Sequence, residues 1–329
     1  MNNLLIHSLM KRHIVSVLNS NPLVLALYES DFEKNMQTLS EFSRENTNTC
    51  FLLQLGYEHE TDELARHLTT VISKFKESSP TSRIIVLCNS ENECVVLGKL
   101  GNEIRFINQN CFLDERRYLP LSRKRVYDAA YIARLTPCKR HGLIPKELAP
   151  RILLMGTLTP YQSEKDYADM VHERFAESRW ITRFNAVKIS EYLAMAKCGL
   201  VLSAREGASF CSSEYLLCGL PVVDTPAIGG RSVLYPEEYV KYADSTPESI
   251  AECVDYWGAN RPDPKAVRIA WLEKVRPHRE AYKKLMLELT GKEHHSFPHK
   301  LGIRNNHPGN LYSIAVKMYL ATKNFFSKS

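Results

Sequence analysis

The sequence predicts an α/β protein built from two doubly wound sheets of parallel strands. Short apolar runs bounded by polar residues alternate along the chain with segments of helical spacing. The 329 residues exceed one typical domain, so two domains of roughly 100–200 residues are expected. A composition of 44% hydrophobic and 24% charged residues is ordinary for a protein that buries a substantial core.

The first part of the chain contains four predicted strands separated by amphipathic segments. Strands are predicted at 21–28, 49–55, 83–87 and 104–107, and helices at 31–45, 61–76 and 90–100. Ser90 is expected to cap the last helix, with Glu93 completing a capping box. Ligands bind at the carboxyl ends of parallel strands, which nominates the loops at 56–59, 89–91 and 108–110. His59 is the histidine best placed for chemistry, although a single histidine in a polar loop is more often a surface residue.

A basic, proline-started segment at 120–125 predicts the domain boundary, giving a first domain over 1–122 and a second over 123–300. Strands are predicted in the second domain at 126–133, 152–155, 200–202 and 221–223. Helices are predicted at 161–178, at 191–197 after a Ser190 cap, from 212 to 219, at 247–257 and at 265–290 with a break at Pro277.

Charge and cysteine content exclude several classes of protein. The net charge of +6 permits an anionic ligand or a membrane surface, but the basic residues are too dispersed for a nucleic-acid interface. Nine cysteines without paired spacing indicate reduced thiols rather than a disulfide framework or a zinc site. No secretory signal is recognisable, and no apolar run approaches the ~20 residues of a membrane span. We expect a cytoplasmic protein, soluble or peripheral on the inner face of a membrane.

Two stretches of the second domain carry residues suited to ligand chemistry. Glu206 follows a predicted strand, and Glu214 is expected in the first turn of the next helix. Backbone N–H groups at a helix start bind phosphate, and carboxylates accept hydrogen bonds from sugar hydroxyls. Upstream, Arg134 and Lys139 follow the carboxyl end of another predicted strand, where an anion would bind. The alternative interpretations are two solvated carboxylates at a corner and a solvated basic loop.

The segment EGASFCSSE, followed by CGLPVV and a GG pair, resembles the E-x7-E signature of retaining GT-B glycosyltransferases of the group 1 (GT4-like) family. ARLTPCKRHG is similar to the G-R-L-x-x-x-K-G of that family, with Ala133 for the first glycine and Arg140-His141 inserted. The family usually has E-G-F-G where this chain has E-G-A-S, so Ala208 and Ser209 depart from it. The resemblance covers 126–258, and the first 120 residues share only general architecture and lack a glycine-rich loop.

The resemblance implies a GT-B architecture, in which two Rossmann-like domains face a central cleft. It also implies that residues 301–329 form a helix that crosses back to the first domain; the rival interpretation is a basic amphipathic helix on a membrane surface. By this resemblance Arg134, Lys139 and Glu206 are catalytic. The implied donor-binding residues are Glu214, Gly207, Ala208, Ser209, Phe210, Ser212, Ser213, Phe184 and Asn185.

Each implied residue has a role in a donor complex. Arg134 and Lys139 would stabilise the diphosphate, Glu206 would orient the sugar with the N–H groups of 207–210, and Glu214 would accept from the ribose. The helix that Ser212 is expected to cap would add backbone donors, and residues near Phe184 would border the base.

The implied activity is retaining transfer of a hexosyl or related sugar from a nucleotide-diphospho-sugar to a saccharide or lipid-linked acceptor, in cell-surface polysaccharide or glycoconjugate synthesis. We expect departure of the leaving group from the front face, with no cofactor and no metal, because Arg and Lys neutralise charge and no D-x-D triplet occurs. Two alternatives remain open: a GT-B sugar-nucleotide epimerase and a non-catalytic sugar-nucleotide-binding subunit.

Overall fold

The computed structural model of the chain describes residues 14–156, 164–182, 186–293 and 297. Two sheets organise this part of the chain, one of five strands and one of six. The C-terminal segment 301–329, for which a crossing helix was expected, lies outside the described residues.

The first sheet has its strands in chain order, and all pairs are parallel except the first. Its strands are β1 (Ser16–Ser20), β2 (Leu23–Tyr28), β3 (Cys50–Gln54), β4 (Arg83–Cys88) and β5 (Ile104–Phe106). The helices are α1 (Glu29–Lys34), α2 (Met36–Glu45), α3 (Asp62–Ser78) and α4 (Glu91–Lys99). Strands β3 and β4 are continuous apolar runs because both of their faces are covered. The edge strand β1 was not predicted.

The first half differs from the sequence prediction in one detail and extends it in another. The helix expected over 31–45 is divided at Asn35, whose side-chain amide donates to the carbonyl of Asp31 at 2.7 Å and competes with the backbone pattern. The capping box at α4 forms as expected, since Ser90 Oγ accepts from the N–H of Glu93 and the Glu93 carboxylate accepts from the N–H of Ser90. The same carboxylate also accepts from the N–H groups of Asn89 and His59, at 2.6 and 3.0 Å.

The second sheet is parallel throughout, in the order β11-β10-β9-β6-β7-β8. Its strands are β6 (Tyr127–Ile132), β7 (Ile152–Met155), β8 (Arg179–Ile181), β9 (Ala196–Val201), β10 (Val222–Asp224) and β11 (Val240–Tyr242). The helices are α5 (Lys165–Arg174), α6 (Ala186–Leu193), α7 (Phe210–Leu217), α8 (Pro247–Ala259) and α9 (Pro264–Thr290). The winding direction reverses between β6 and β9. The loops after these two strands therefore diverge, and they open a crevice where α/β sheets bind ligands.

Three predictions for the second half were wrong. Ser190 does not cap a helix over 191–197, because α6 begins at 186 and Ser190 lies inside it. Gly199, expected to end that helix, belongs to β9 and lies against the ring of Tyr215. The helix at 265–290 is not broken at Pro277, since α9 continues through it. A proline removes one hydrogen bond, and buried residues such as Trp271 and Tyr282 anchor α9 on both sides of it.

A shared apolar core includes residues from one face of each sheet. It contains Leu52 and Ile85 from the first sheet, Ala130 and Leu153 from the second, and Trp271 of α9. The other face of each sheet packs in a separate cluster. The domain division predicted at 122/123 stays a prediction. No helix in the described ranges is long and apolar enough to cross a membrane.

Candidate active site

A lysine, a serine and a carboxylate meet in the crevice between the loops that follow β6 and β9. Lys139 Nζ donates to Glu206 Oε1 and, at 3.1 Å, to Ser203 Oγ. The Ser203 hydroxyl donates to the same Glu206 oxygen at 2.9 Å. The Lys139 and Glu206 side chains are only 15% and 16% exposed. Sequence reasoning nominated Lys139 and Glu206 on separate strands and missed Ser203, which no sequence signal distinguishes from neighbouring serines.

The loop after β6 is held in place by its own backbone and by Arg140. The Tyr131 hydroxyl donates to the carbonyl of Lys139, and the N–H of Ala204 donates to the carbonyl of Cys138 at 3.1 Å. Arg140 adopts a left-handed conformation with φ 49°. Its guanidinium donates to the carbonyl of Leu202 and to other groups of the β9 and β10 loops. The residue that appears as an insertion in the sequence therefore ties together the loops of three strands.

Arg134 lies two residues beyond the end of β6, and its side chain is exposed. It shares the carboxyl edge of the sheet with Lys139. Its expected contact with a donor diphosphate stays a prediction.

The start of α7 differs from the sequence prediction. The N-cap is Ser209, whereas Ser212 lies in the first turn and donates from its hydroxyl to the carbonyl of Ser209 at 2.8 Å. Ser212 is therefore not the cap. Within the described part of the chain, the Ser209 side chain caps no backbone N–H of the first turn, but its Oγ lies 3.0 Å from Cys211 Sγ in that turn. The backbone N–H groups of this turn border the loop that carries Glu206.

Glu214 lies in the second turn of α7, one turn later than expected, because the helix already begins at Phe210. Its Oε1 accepts from the hydroxyl of Tyr118 at 2.9 Å. Burial and the neighbouring carboxylate both raise the pKa of Tyr118. Tyr118 belongs to the segment between the two sheets, so only the tertiary structure shows this pairing.

The remaining predicted donor residues are divided between the loop and an undescribed segment. Gly207, Ala208 and Ser209 are buried, and Phe210 is half-buried. Phe184 and Asn185 lie outside the described residues.

Glycines of this site lie directly against the first half of the chain. A Cβ on Gly207 would come within 2.7 Å of the Tyr57 carbonyl oxygen. A Cβ on Gly230 would come within 2.4 Å of the backbone carbonyl oxygen of Asn89. Gly229 has φ 110° and touches the Glu206 backbone, where a side chain would be excluded. The Gly229-Gly230 pair thus allows its backbone to lie directly against the backbones of Glu206 and Asn89.

Buried amides from the first half complete this contact. Asn110 Nδ2 donates to the carbonyl of Ser209 at 2.7 Å and to Ser213 Oγ at 2.9 Å. Asn108 Nδ2 donates to the carbonyl of Gly230 at 3.0 Å. All three loops nominated at the carboxyl edge of the first sheet therefore contact the loops that carry the acidic residues. Sequence reasoning selected these loops but not their partners.

No protein-family model matches the chain, and no curated protein sequence matches it. Among solved structures, Anabaena Alr3699/HepE in complex with UDP superposes with a TM-score of 0.59 at 15% identity, over 88% of this chain and 82% of that one. Sucrose-phosphate synthase from Thermosynechococcus elongatus gives 0.56 at 14% identity, over 93% and 74%. OtsA gives 0.58 at 12% identity, over 81% and 72%.

These neighbours are GT-B glycosyltransferases, and the architecture expected from the sequence is confirmed. The chain has the GT-B fold.

A buried ion pair lies at the base of the loop that follows β9 in this GT-B fold. Arg231 is 2% exposed, and its Nη2 lies 2.9 Å from Asp224 Oδ1. Arg231 also donates to the carbonyls of Ser203 and Thr225, so it fixes the base of the loop that ends at Glu206. Burial raises the pKa of Asp224 to about 6, although the Arg231 charge opposes the shift. Sequence reasoning missed both residues, because buried charge pairs leave no periodic pattern.

His59 is not a surface residue in this GT-B fold. It is 5% exposed, its Nδ1 lies 3.1 Å from the carbonyl of Tyr57, and burial lowers its pKa. A neutral imidazole in this place stabilises the loop after β3. The hypothesis of a catalytic role for His59 stays untested.

Proposed function

We propose that the protein is a glycosyltransferase that moves a sugar from a nucleotide-diphospho-sugar to a saccharide or lipid-linked acceptor. The observation that carries the proposal is the contact of Lys139, Ser203 and Glu206 at the switch point of a GT-B fold. A cation and a carboxylate side by side match a ligand that presents phosphate oxygens next to sugar hydroxyls.

The donor would lie across the loops after β6 and β9. Lys139 and Arg134 supply positive charge for the diphosphate, and the first turn of α7 adds backbone donors. Glu206 accepts from hydroxyls of the sugar, and Glu214, held by Tyr118, accepts from the ribose. The neighbour HepE forms a complex with UDP and glucose, so UDP-glucose is the first donor to test.

The proposed reaction retains the configuration of the anomeric carbon. The bond from this carbon to the diphosphate oxygen breaks, and the acceptor oxygen bonds to the same face while its proton passes to the departing diphosphate. Negative charge develops on the diphosphate, where Arg134 and Lys139 stabilise it without a metal. Glu206 is already bonded by Lys139 and Ser203, which makes it an orienting group rather than a covalent nucleophile.

Binding and turnover of the purified protein test the proposal. Thermal-shift measurements with UDP, GDP, ADP and CMP identify the base, and assays in EDTA test metal independence. Glu214→Ala is expected to weaken nucleotide binding, whereas Arg134→Ala slows transfer more than it weakens binding of the bare nucleoside. Glu280→Ala, on the exposed surface of α9, is the control.

The outcomes separate the alternatives. Full turnover in both variants would refute the site, and no stabilisation by any nucleotide would count against a sugar-nucleotide protein of any kind. Isomerised donor without acceptor would indicate an epimerase. Nucleotide binding without release of nucleoside diphosphate, with an acceptor panel present, would indicate a non-catalytic subunit. We also propose that the sugar transfer serves the synthesis of polysaccharides or glycoconjugates.

A further inference from the structure

The loop after β3 carries an exposed aromatic residue, and its backbone lies against the proposed sugar site. The Tyr57 side chain is 64% exposed, although its neighbours Glu58 and His59 are 1% and 5% exposed. The Tyr57 backbone lies against Gly207, the residue after Glu206. We infer that the Tyr57 ring is the platform on which a saccharide acceptor stacks. This inference rests on the proposed function and names the acceptor class.

Buried carboxylates hold this loop in one conformation. The N–H of Gly56 donates to Glu29 Oε2 at 2.9 Å, and the N–H of His59 donates to Glu93 Oε1 at 3.0 Å. Glu29 and Glu93 are 8% and 0% exposed. The backbone on both sides of Tyr57 is therefore bonded to groups that belong to the packed interior.

Glu58 connects the same loop to the loop that carries Glu206. Its Oε2 accepts from the N–H of Glu60 at 2.9 Å, and its Oε1 accepts from Arg205 Nε at 2.9 Å. Arg205 immediately precedes Glu206, and the backbone of Gly229 approaches Glu58 from the other side. The position of the Tyr57 backbone is thus set relative to Glu206 by contacts across the two halves of the chain.

An exposed aromatic ring on a rigid loop is suited to binding a sugar. The ring face carries negative charge from its quadrupole, and the C–H bonds on one face of a pyranose present weak positive charge and apolar area. Tyrosine also has a hydroxyl that can bond to sugar hydroxyls. Since the loop is already ordered, binding costs little conformational entropy.

The location favours an acceptor rather than the donor. The proposed donor contacts come from the β6 and β9 loops and from α7, whereas Tyr57 belongs to the first sheet. Ile228, which is 43% exposed, precedes Gly229, the residue that lies against Glu58, and adds apolar area where the two halves of the chain meet. A ring stacked on Tyr57 would approach the sugar at Glu206 from the side of the first sheet, as an acceptor must.

Kinetics with simple glycosides test the inference. The acceptors are methyl glucoside, methyl galactoside, methyl N-acetylglucosaminide and maltose, with the donor identified in the binding screen. Tyr57→Ala is expected to raise the acceptor KM about tenfold, without change in donor KM or in donor hydrolysis without acceptor. Tyr57→Phe and Tyr57→Trp keep the ring and should stay within about threefold of the unsubstituted protein. Tyr256→Ala, which removes an exposed tyrosine from α8, is the matched control.

A second measurement detects stacking of a sugar on the ring at position 57 without turnover. The fluorescence of Y57W, with that of the unsubstituted protein subtracted, should shift to the blue as the same glycosides are added. This titration is independent of the donor.

Each outcome decides between the two proposals. An unchanged acceptor KM in Tyr57→Ala, or an equal loss of donor binding, would overturn the platform and leave the glycosyltransferase standing. Transfer only to lipid or peptide acceptors would overturn the platform in the same way. If no nucleotide sugar is bound or turned over, the proposed function fails, and the absence of any fluorescence shift then overturns the platform separately.

Discussion

The ion pair between Lys139 and Glu206 offers the sharpest test of the site geometry. Both side chains are more than four-fifths buried, so removing one charge leaves the other with poor access to water. Breaking a fully buried pair costs about 3–5 kcal/mol, and an exposed pair contributes about 0–1 kcal/mol. Because Ser203 remains as a partner for either group, we expect Lys139→Met and Glu206→Gln each to lower the free energy of unfolding by about 2–3 kcal/mol.

The double variant should cost much less than the sum of the single variants. We expect a coupling energy of about 2 kcal/mol, because the second substitution removes a charge that the first has already left unpaired. Urea unfolding of the ligand-free protein measures all four free energies.

An exposed pair on the same chain provides the control. Lys283 Nζ lies 2.7 Å from Glu280 Oε1, but these side chains are 45% and 60% exposed. Their coupling energy should stay below about 0.5 kcal/mol. A coupling energy for Lys139 and Glu206 as small as that of the control would refute the contact and the positions of both loops.

Three further predictions concern the surroundings of the site. Gly207→Ala should destabilise the protein by about 1–3 kcal/mol in urea unfolding, since its Cβ would lie 2.7 Å from the Tyr57 oxygen; an unaltered midpoint would contradict that approach. Burial lowers the pKa of His141 from 6.5 to about 4, so the unfolded chain takes up the proton first and stability is lost as pH falls from 6.5 to 4. His141→Gln should remove about 3 kcal/mol of that loss, and identical pH profiles would refute the assignment. Asn110→Ala should cost about 2–3 kcal/mol, because the carbonyl and the Ser213 hydroxyl each lose a buried donor; a cost below about 0.5 kcal/mol would show that water replaces the amide.

Local pattern was sufficient where an element is defined by its own residues. The apolar run at 152–155 coincides with β7, and the Thr246-Pro247 start of α8 is capped as such a sequence predicts. Pattern failed where packing overrides local preference, as at Pro277 inside α9. It also failed at Ser190, where a capping residue lies within a helix and its hydroxyl accepts from the N–H of Leu119 at 3.0 Å.

The site was predictable only in part for the same reason. Charged residues that follow apolar runs mark the carboxyl edge of a parallel sheet, which nominated Lys139 and Glu206, and the family resemblance supplied their expected roles. Tyr57, Asn110 and Tyr118 come from the first part of the chain, and no spacing connects them with their partners Gly207, Ser209 and Glu214 in the second part.

The sequence by itself determined the α/β class, the strands of both sheets apart from short edges, and the acidic and basic loops of the second half. These features depend on the alternation of apolar and polar residues over a few positions, which is a local property. Only the tertiary structure decided that Lys139 bonds to Glu206, that α7 begins at Phe210, and that the loop of Tyr57 lies against Gly207. Such contacts arise when segments far apart in the chain pack together around a shared core, so no single segment determines them.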